Sequence, residues 1–184
     1  MRRLAVLLLS ALPCAGVAHD VVVNRLTLVQ REANHLSMTL VIDYITTLKA
    51  AAAPAATYKE FVIACAGMPE AQLQRTVAQA QAALEQGIVL RDSQQRRLRV
   101  TPLHWPAPAE ARRLLQQAAM AAVALGTDKP EPTALELTAD VVAVQAIAAV
   151  EVQLPSALAD MLVVSYKPVQ TWVDPHSHKA TIKF

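Results

Sequence analysis

Along residues 35 to 44 apolar and polar side chains alternate. Leu36, Met38, Leu40, Ile42 and Tyr44 fall on one face, and His35, Ser37, Thr39, Val41 and Asp43 on the other. A period of two is that of a β-strand with one face turned to a core. Residues 20 to 31, rich in Val, Leu and Thr, predict the strand before it. The polar "EANH" at 32 to 35 joins the two as a β-hairpin. Folding the chain about residue 33 sets His19 opposite Thr47, with Asp43 farther up the same strand.

The period then becomes helical. "LKAAAAPAA" reads as a linker, and Thr57 with Glu60 has the T-x-x-E form of a capping box. A short helix is expected from 58 to about 66, stopped by Gly67 and Pro69. From Pro69 a second helix carries Leu73, Val77, Ala80 and Leu84 on one face and glutamines on the other, and Gly87 ends it. These two helices are expected to form an antiparallel pair. "IVLRDSQQRRLRVTPLHW" predicts a second hairpin turning at Asp92 to Gln95. Pro106 and Pro108 open a third helix over 109 to 125, with Ala111, Leu115, Ala118, Ala122 and Leu125 on one side and Gly126 as its cap.

The last third returns to strands. Residues 134 to 143 alternate around Leu135, Leu137, Ala139 and Val141, and residues 147 to 154 around Ala148, Val150, Val152 and Leu154. "LPSALAD" is a turn. "MLVVSYKPVQTWV" is a long strand, kinked or at a sheet edge at Pro168. "DPHSH" is a further turn and "KATIKF" a final strand. The order predicts an α+β fold: an antiparallel sheet or small β-sandwich of about six to eight strands with three inserted helices.

The start of the chain carries an address. Arg2 and Arg3, the apolar run Leu4 to Leu12 and the small residues Gly16-Val17-Ala18 make the three parts of a secretory signal. The apolar run is shorter than the ~20 residues a membrane span needs. Cleavage after Ala18 leaves residues 19 to 184 as one periplasmic domain, with no transmembrane segment in the mature chain. A lipoprotein cut before Cys14 is the competing reading, and Pro13 fits it poorly.

Composition narrows the function. A formal net charge of +2 across 184 residues, with basic clusters only at Arg96-Arg97-Arg99 and Arg112-Arg113, does not suit nucleic acid. After Cys14 only Cys65 remains, inside the apolar "EFVIACAGM", so the exported domain relies on its core rather than on a disulfide. Four glycines in the whole chain leave no phosphate-cradling loop, and neither G-x-S-x-G nor H-E-x-x-H occurs. Ser165 and Cys65 lack a neighbouring base.

Two chemistries stand. The first is metal capture. Cleavage makes His19 a free N-terminus whose amine and imidazole grip one ion together, a nitrogen set that suits Cu(II). His176 and His178 in "DPHSH", with Asp20 and Asp43, are the further candidate ligands, and copper is the implied cofactor. His104, beside Trp105 and Pro106, reads as a packing residue. The second is protein docking. Tyr166, Lys167 and Trp172 share a strand whose proline marks an edge able to accept a partner strand. In a chain so poor in aromatics, Tyr166 and Trp172 are expected in the core.

The mature start "AHDVVVNRLTL", the central amphipathic helices and the closing "LPSALADMLVVSYKPVQTWV" resemble, in pattern and order, the extracytoplasmic N-terminal region of some bacterial HupE/UreJ-like membrane proteins. In that family a multi-helix membrane portion follows, and members are linked to transport of nickel or other metals. This sequence reaches Phe184 without such a portion. What the resemblance implies is a periplasmic accessory domain beginning at a histidine. The leading expectation is therefore a non-enzymatic binding or accessory domain for a membrane-associated partner. The alternative is a periplasmic copper-type protein built on His19.

Overall fold

The computed structural model of the chain describes residues 24–126, 132–158 and 160–168. In chain order the elements are β1 (Arg25–Glu32), β2 (His35–Asp43), α1 (Tyr44–Ala52), α2 (Tyr58–Gly67), α3 (Glu70–Gly87), β3 (Val89–Asp92), β4 (Arg99–Val100), α4 (Pro108–Leu125), β5 (Ala134–Val142), β6 (Val150–Gln153) and β7 (Leu162–Tyr166). The fold is α+β, as the pattern predicts. The predicted signal segment and the chain from residue 169 onward lie outside the described residues.

β1 and β2 form the expected hairpin, with Leu26 opposite Leu40 and Leu28 opposite Met38. Burial alternates along all nine residues of β2. Its other edge pairs antiparallel with β5 from His35–Val142 to Asp43–Ala134. β4 borders β5, and β7 lies parallel to β1, giving the order β4-β5-β2-β1-β7. The sheet is therefore mixed. Each of its three long strands turns one set of apolar residues inward: Leu26 and Leu28, Leu36 to Ile42 at alternate positions, and Leu137, Ala139 and Val141. These join the buried side chains of the helices in one core.

Among the described residues four α-helices form where the pattern predicts three. The extra one is α1, which takes the end of the expected strand and most of the expected linker. Its alanines are strong helix formers, and Tyr44, Ile45 and Leu48 are all buried. Asp43 ends the alternation and becomes the N-cap residue. α2 has both bonds of its capping box: Glu60 N–H donates to Thr57 Oγ1 at 3.2 Å, and Thr57 N–H donates to Glu60 Oε2 at 2.8 Å. α3 buries the four predicted residues Leu73, Val77, Ala80 and Leu84. The expected α2–α3 pair does not form; α2 packs on α4, and α3 on α1. α1 takes the place beside α3 that the pattern predicts for α2. In α4 the predicted stripe is buried except at Leu125.

The second hairpin closes at its predicted turn and then splits. Leu98 N–H donates to Leu90 O at 2.8 Å, but β3 pairs with β6 while β4 joins the large sheet. Asp92 holds the turn. Its Oδ1 accepts from the backbone N–H groups of Gln94 (2.8 Å) and Arg96 (3.0 Å), and its Oδ2 from Arg96 Nε at 2.7 Å. The Arg96 side chain, helped by these N–H groups, keeps the Asp92 carboxyl below the usual carboxylate range.

Gly87 ends α3, as its place in the sequence predicts, but not as a left-handed cap. Of the described glycines only Gly126 has a positive φ, +63°, and caps α4 in the left-handed region. Gly87 instead lets Pro155 approach, since a Cβ there would lie 2.6 Å from Pro155 Cβ. Gly87→Ala should cost about 1–3 kcal/mol through overpacking, read as a lower urea midpoint; an unchanged midpoint would mean that the Pro155 loop shifts freely. Because its carboxyl is depressed in the fold, Asp92 stabilises above its unfolded pKa of about 3.9, and that contribution fades as pH falls through the folded value. Asp92→Asn should therefore lower stability at neutral pH and flatten its acid decline. A parallel acid decline in both proteins would assign the loss to other carboxylates.

Candidate functional site

A recess lies where β7 meets the rest of the molecule. β7 closes one side of the large sheet and, among the described residues, no strand covers its outer edge. Leu162 N–H donates to Asn24 O at 3.0 Å, on the β1 side. Backbone groups alternate sides along a strand, so the N–H and C=O of Val163 and Ser165 point away from β1, to the open edge. No residue from Leu162 to Tyr166 is charged. Sheet edges are usually guarded by charge, proline or a bulge; here Lys167 and Pro168 follow the strand rather than interrupt it.

Beside this edge runs a cleft of about 280 Å³. Leu28 and Leu36 of the hairpin, Val150 and Val152 of β6, and Val163 of β7 give it apolar walls, and Ser165, Tyr166 and Lys167 form its rim on the β7 side. The opposite wall is held in place from a distance in sequence. Ile147 N–H donates to Ala33 O at 2.7 Å, Gln30 Nε2 to Ile147 O at 3.1 Å, and Ala143 N–H to Asn34 O at 3.0 Å. These bonds staple the segment 143–149 to the turn between β1 and β2. Tyr166, expected in the core, is 54% exposed. Among the described residues β1 is the one strand beside β7, so the edge position leaves the ring little cover. Trp172 lies outside the described residues.

The metal candidates separate. His19, Asp20, His176 and His178 lie outside the described residues. Asp43 sits at the junction of β2 and α1. Its Oδ1 accepts the Thr133 N–H at 3.2 Å, and its own N–H donates to Asn24 Oδ1 at 3.1 Å. Among the described residues no three His, Cys, Asp or Glu side chains gather closely enough to hold an ion. Nor is any described helix long and apolar enough to cross a membrane.

The polar face of the sheet holds two cross-strand contacts that no local pattern announces. His35 Nε2 lies 2.8 Å from Asp140 Oδ1, tying β2 to β5, and His104 Nδ1 lies 3.0 Å from Thr138 O. The expected packing corner at Trp105 is present. Glu85 Oε1 accepts from Trp105 Nε1 at 2.7 Å and from the Leu103 N–H at 3.1 Å, and the indole lies against Tyr44 with ring centroids 6.4 Å apart. Only the register of β5 against β2, which sequence periodicity does not encode, brings His35 and Asp140 together.

Cys65 is 1% exposed, and burial pushes its thiol up to about 11. A thiol so placed is a small apolar side chain. Labelling of Cys65 by an aromatic disulfide at pH 8 should proceed only as fast as the protein unfolds, measured by mass spectrometry of the peptide. Rapid labelling of the folded chain would restore it as a candidate nucleophile.

No family model, curated protein or solved structure matches the chain.

Proposed function

We propose that the chain is a non-enzymatic periplasmic accessory domain that binds an extended segment of a membrane-associated partner along β7. The observation that carries this reading is the uncharged edge with two outward backbone pairs, set beside an apolar cleft. In strand addition, main-chain hydrogen bonds supply affinity, and pockets for alternate side chains supply selectivity. The arrangement has both parts. The backbone groups of Val163 and Ser165 supply the first, and the cleft under Val163 takes the side chains that point inward from an added strand. The secretory signal and the resemblance to an extracytoplasmic membrane-protein region support the compartment and the kind of partner.

Ser165→Pro tests the edge without touching the core. Proline is tolerated on a sheet edge but removes the outward N–H and crowds an incoming strand. A photo-crosslinking residue at position 166, activated in the producing cell, is expected to join the chain to an extended segment of a membrane protein. Ser165→Pro should reduce that adduct about tenfold, the loss expected when a binding edge loses one or two hydrogen bonds. An adduct of equal yield in both proteins, or none in the parent, would remove β7 as the docking edge.

A further inference from the structure

A recess of about 240 Å³ lies near the β4 end of the sheet, away from β7, between the end of α3 and the stretch from Arg97 to Leu103. Its apolar lining is Met38, Ile88, Val100 and Leu103. Met38, Ile88 and Leu103 are buried core residues, so this floor stands without a ligand. Two opposite charges share the lining: Glu85 from α3, and Arg97 from the chain just before β4. The Glu85 side chain is held in place, since its Oε1 accepts from Trp105 Nε1 at 2.7 Å and from the Leu103 N–H at 3.1 Å. Both donors take the same oxygen, and Oε2 accepts no hydrogen bond among the described residues. The backbone at Arg97 is set by its bridge to Arg91 and by the bond from Leu98 N–H to Leu90 O. The adjacent Arg96 is engaged with Asp92 and Gln145. Among the described residues neither Arg97 nor Glu85 makes an ion pair, with each other or with any third group. A carboxylate and a guanidinium thus line one recess without meeting.

We infer that this recess binds a free α-amino acid with an apolar side chain, its ammonium on Glu85 Oε2 and its carboxylate on the Arg97 guanidinium. A molecule bearing both signs gives each of the two charges a partner through charge-assisted hydrogen bonds. A simple anion would stand against Glu85, and a simple cation against Arg97, so the site disfavours both. The planar fork of an arginine matches a carboxylate, which sets the direction in which the ligand lies. The apolar floor then receives its side chain. An apolar lining with a few convergent polar groups is the usual make-up of a small-molecule site, and drug-sized ligands fill ~300–1,000 Å³. This recess falls just short of that range, which suits a molecule of amino-acid size. Because Trp105 and Leu103 already fix Glu85, little of the binding energy is lost in ordering the carboxylate. The inference is independent of the β7 reading, whose edge and cleft lie elsewhere on the sheet.

Calorimetric titration of the purified protein tests the site. The probes are L-leucine, L-methionine and L-phenylalanine, together with 3-methylbutylamine and 4-methylpentanoate, which are leucine without its carboxylate and without its amine. At least one of the amino acids is expected to bind saturably at millimolar concentration or below, and more tightly than either one-charge analogue. Glu85→Gln keeps an oxygen for Trp105 and Leu103 but removes the negative charge. It should raise the amino-acid Kd at least about tenfold and weaken the amine, without weakening 4-methylpentanoate. Arg97→Gln, at an exposed position, should raise the amino-acid Kd by a similar factor and weaken the carboxylate alone. Arg99→Gln removes a nearby positive charge that does not line the recess, and should leave the Kd unchanged. Circular dichroism and Tm verify that each variant folds, and Arg97→Gln carries the test by itself if Glu85→Gln does not. A parent that binds none of the three amino acids overturns the inference. So does an amine or carboxylate analogue that binds as tightly as leucine, or a Kd that Arg97→Gln and Arg99→Gln change equally.

Discussion

The two-sided pairing of β2 is the constraint on which the rest of the molecule depends. This strand bonds β1 along one edge and β5 along the other, and its four inward residues Leu36, Met38, Leu40 and Ile42 are all buried. Slipping either neighbour by one residue would turn its apolar set to solvent, so the alternation in β2 locks three strands at once. The lock also sets the surface chemistry. With the register held, His35 meets Asp140 on the outer face, and the turn at Ala33 and Asn34 meets the segment 143–149.

The cleft follows from this framework. Its floor is the hairpin, and one wall is a segment more than a hundred residues away, held by backbone bonds and by Gln30. Its other wall is β7, which among the described residues joins the sheet through β1 alone. Gly87 and Pro155 tie the end of α3 to the turn that leads into β7, so packing at a glycine helps set where the edge strand begins its run.

The helical layer shows a second division of labour. α1 and α3 give their apolar faces to the core, whereas the far end of α4 has more apolar surface than the core can use. Stability of the isolated fold does not require Met120, Val123 or Leu125, which touch solvent over most of their area.

Much of this architecture was legible in the residues taken alone. The period-two alternation of β2 and β5, the capping box of α2, the buried stripe of α3 and the turn at Asp92 all arise from contacts within a few residues, and each appears where the pattern places it. α1 was not legible, because an alanine run before a proline has the composition of a linker as well as of a helix, and only packing of Ile45 and Leu48 decides between them. The candidate site was legible only in outline. Pro168 marked an edge, but the parallel pairing of β7 with β1 and the exposure of Tyr166 were beyond reach. The sequence by itself determined the local elements and which face of each is apolar, since those depend on period and caps. Tertiary structure alone decided which faces meet and which strand lies at the edge of the described sheet, because those outcomes depend on register and on contacts between residues far apart in the chain.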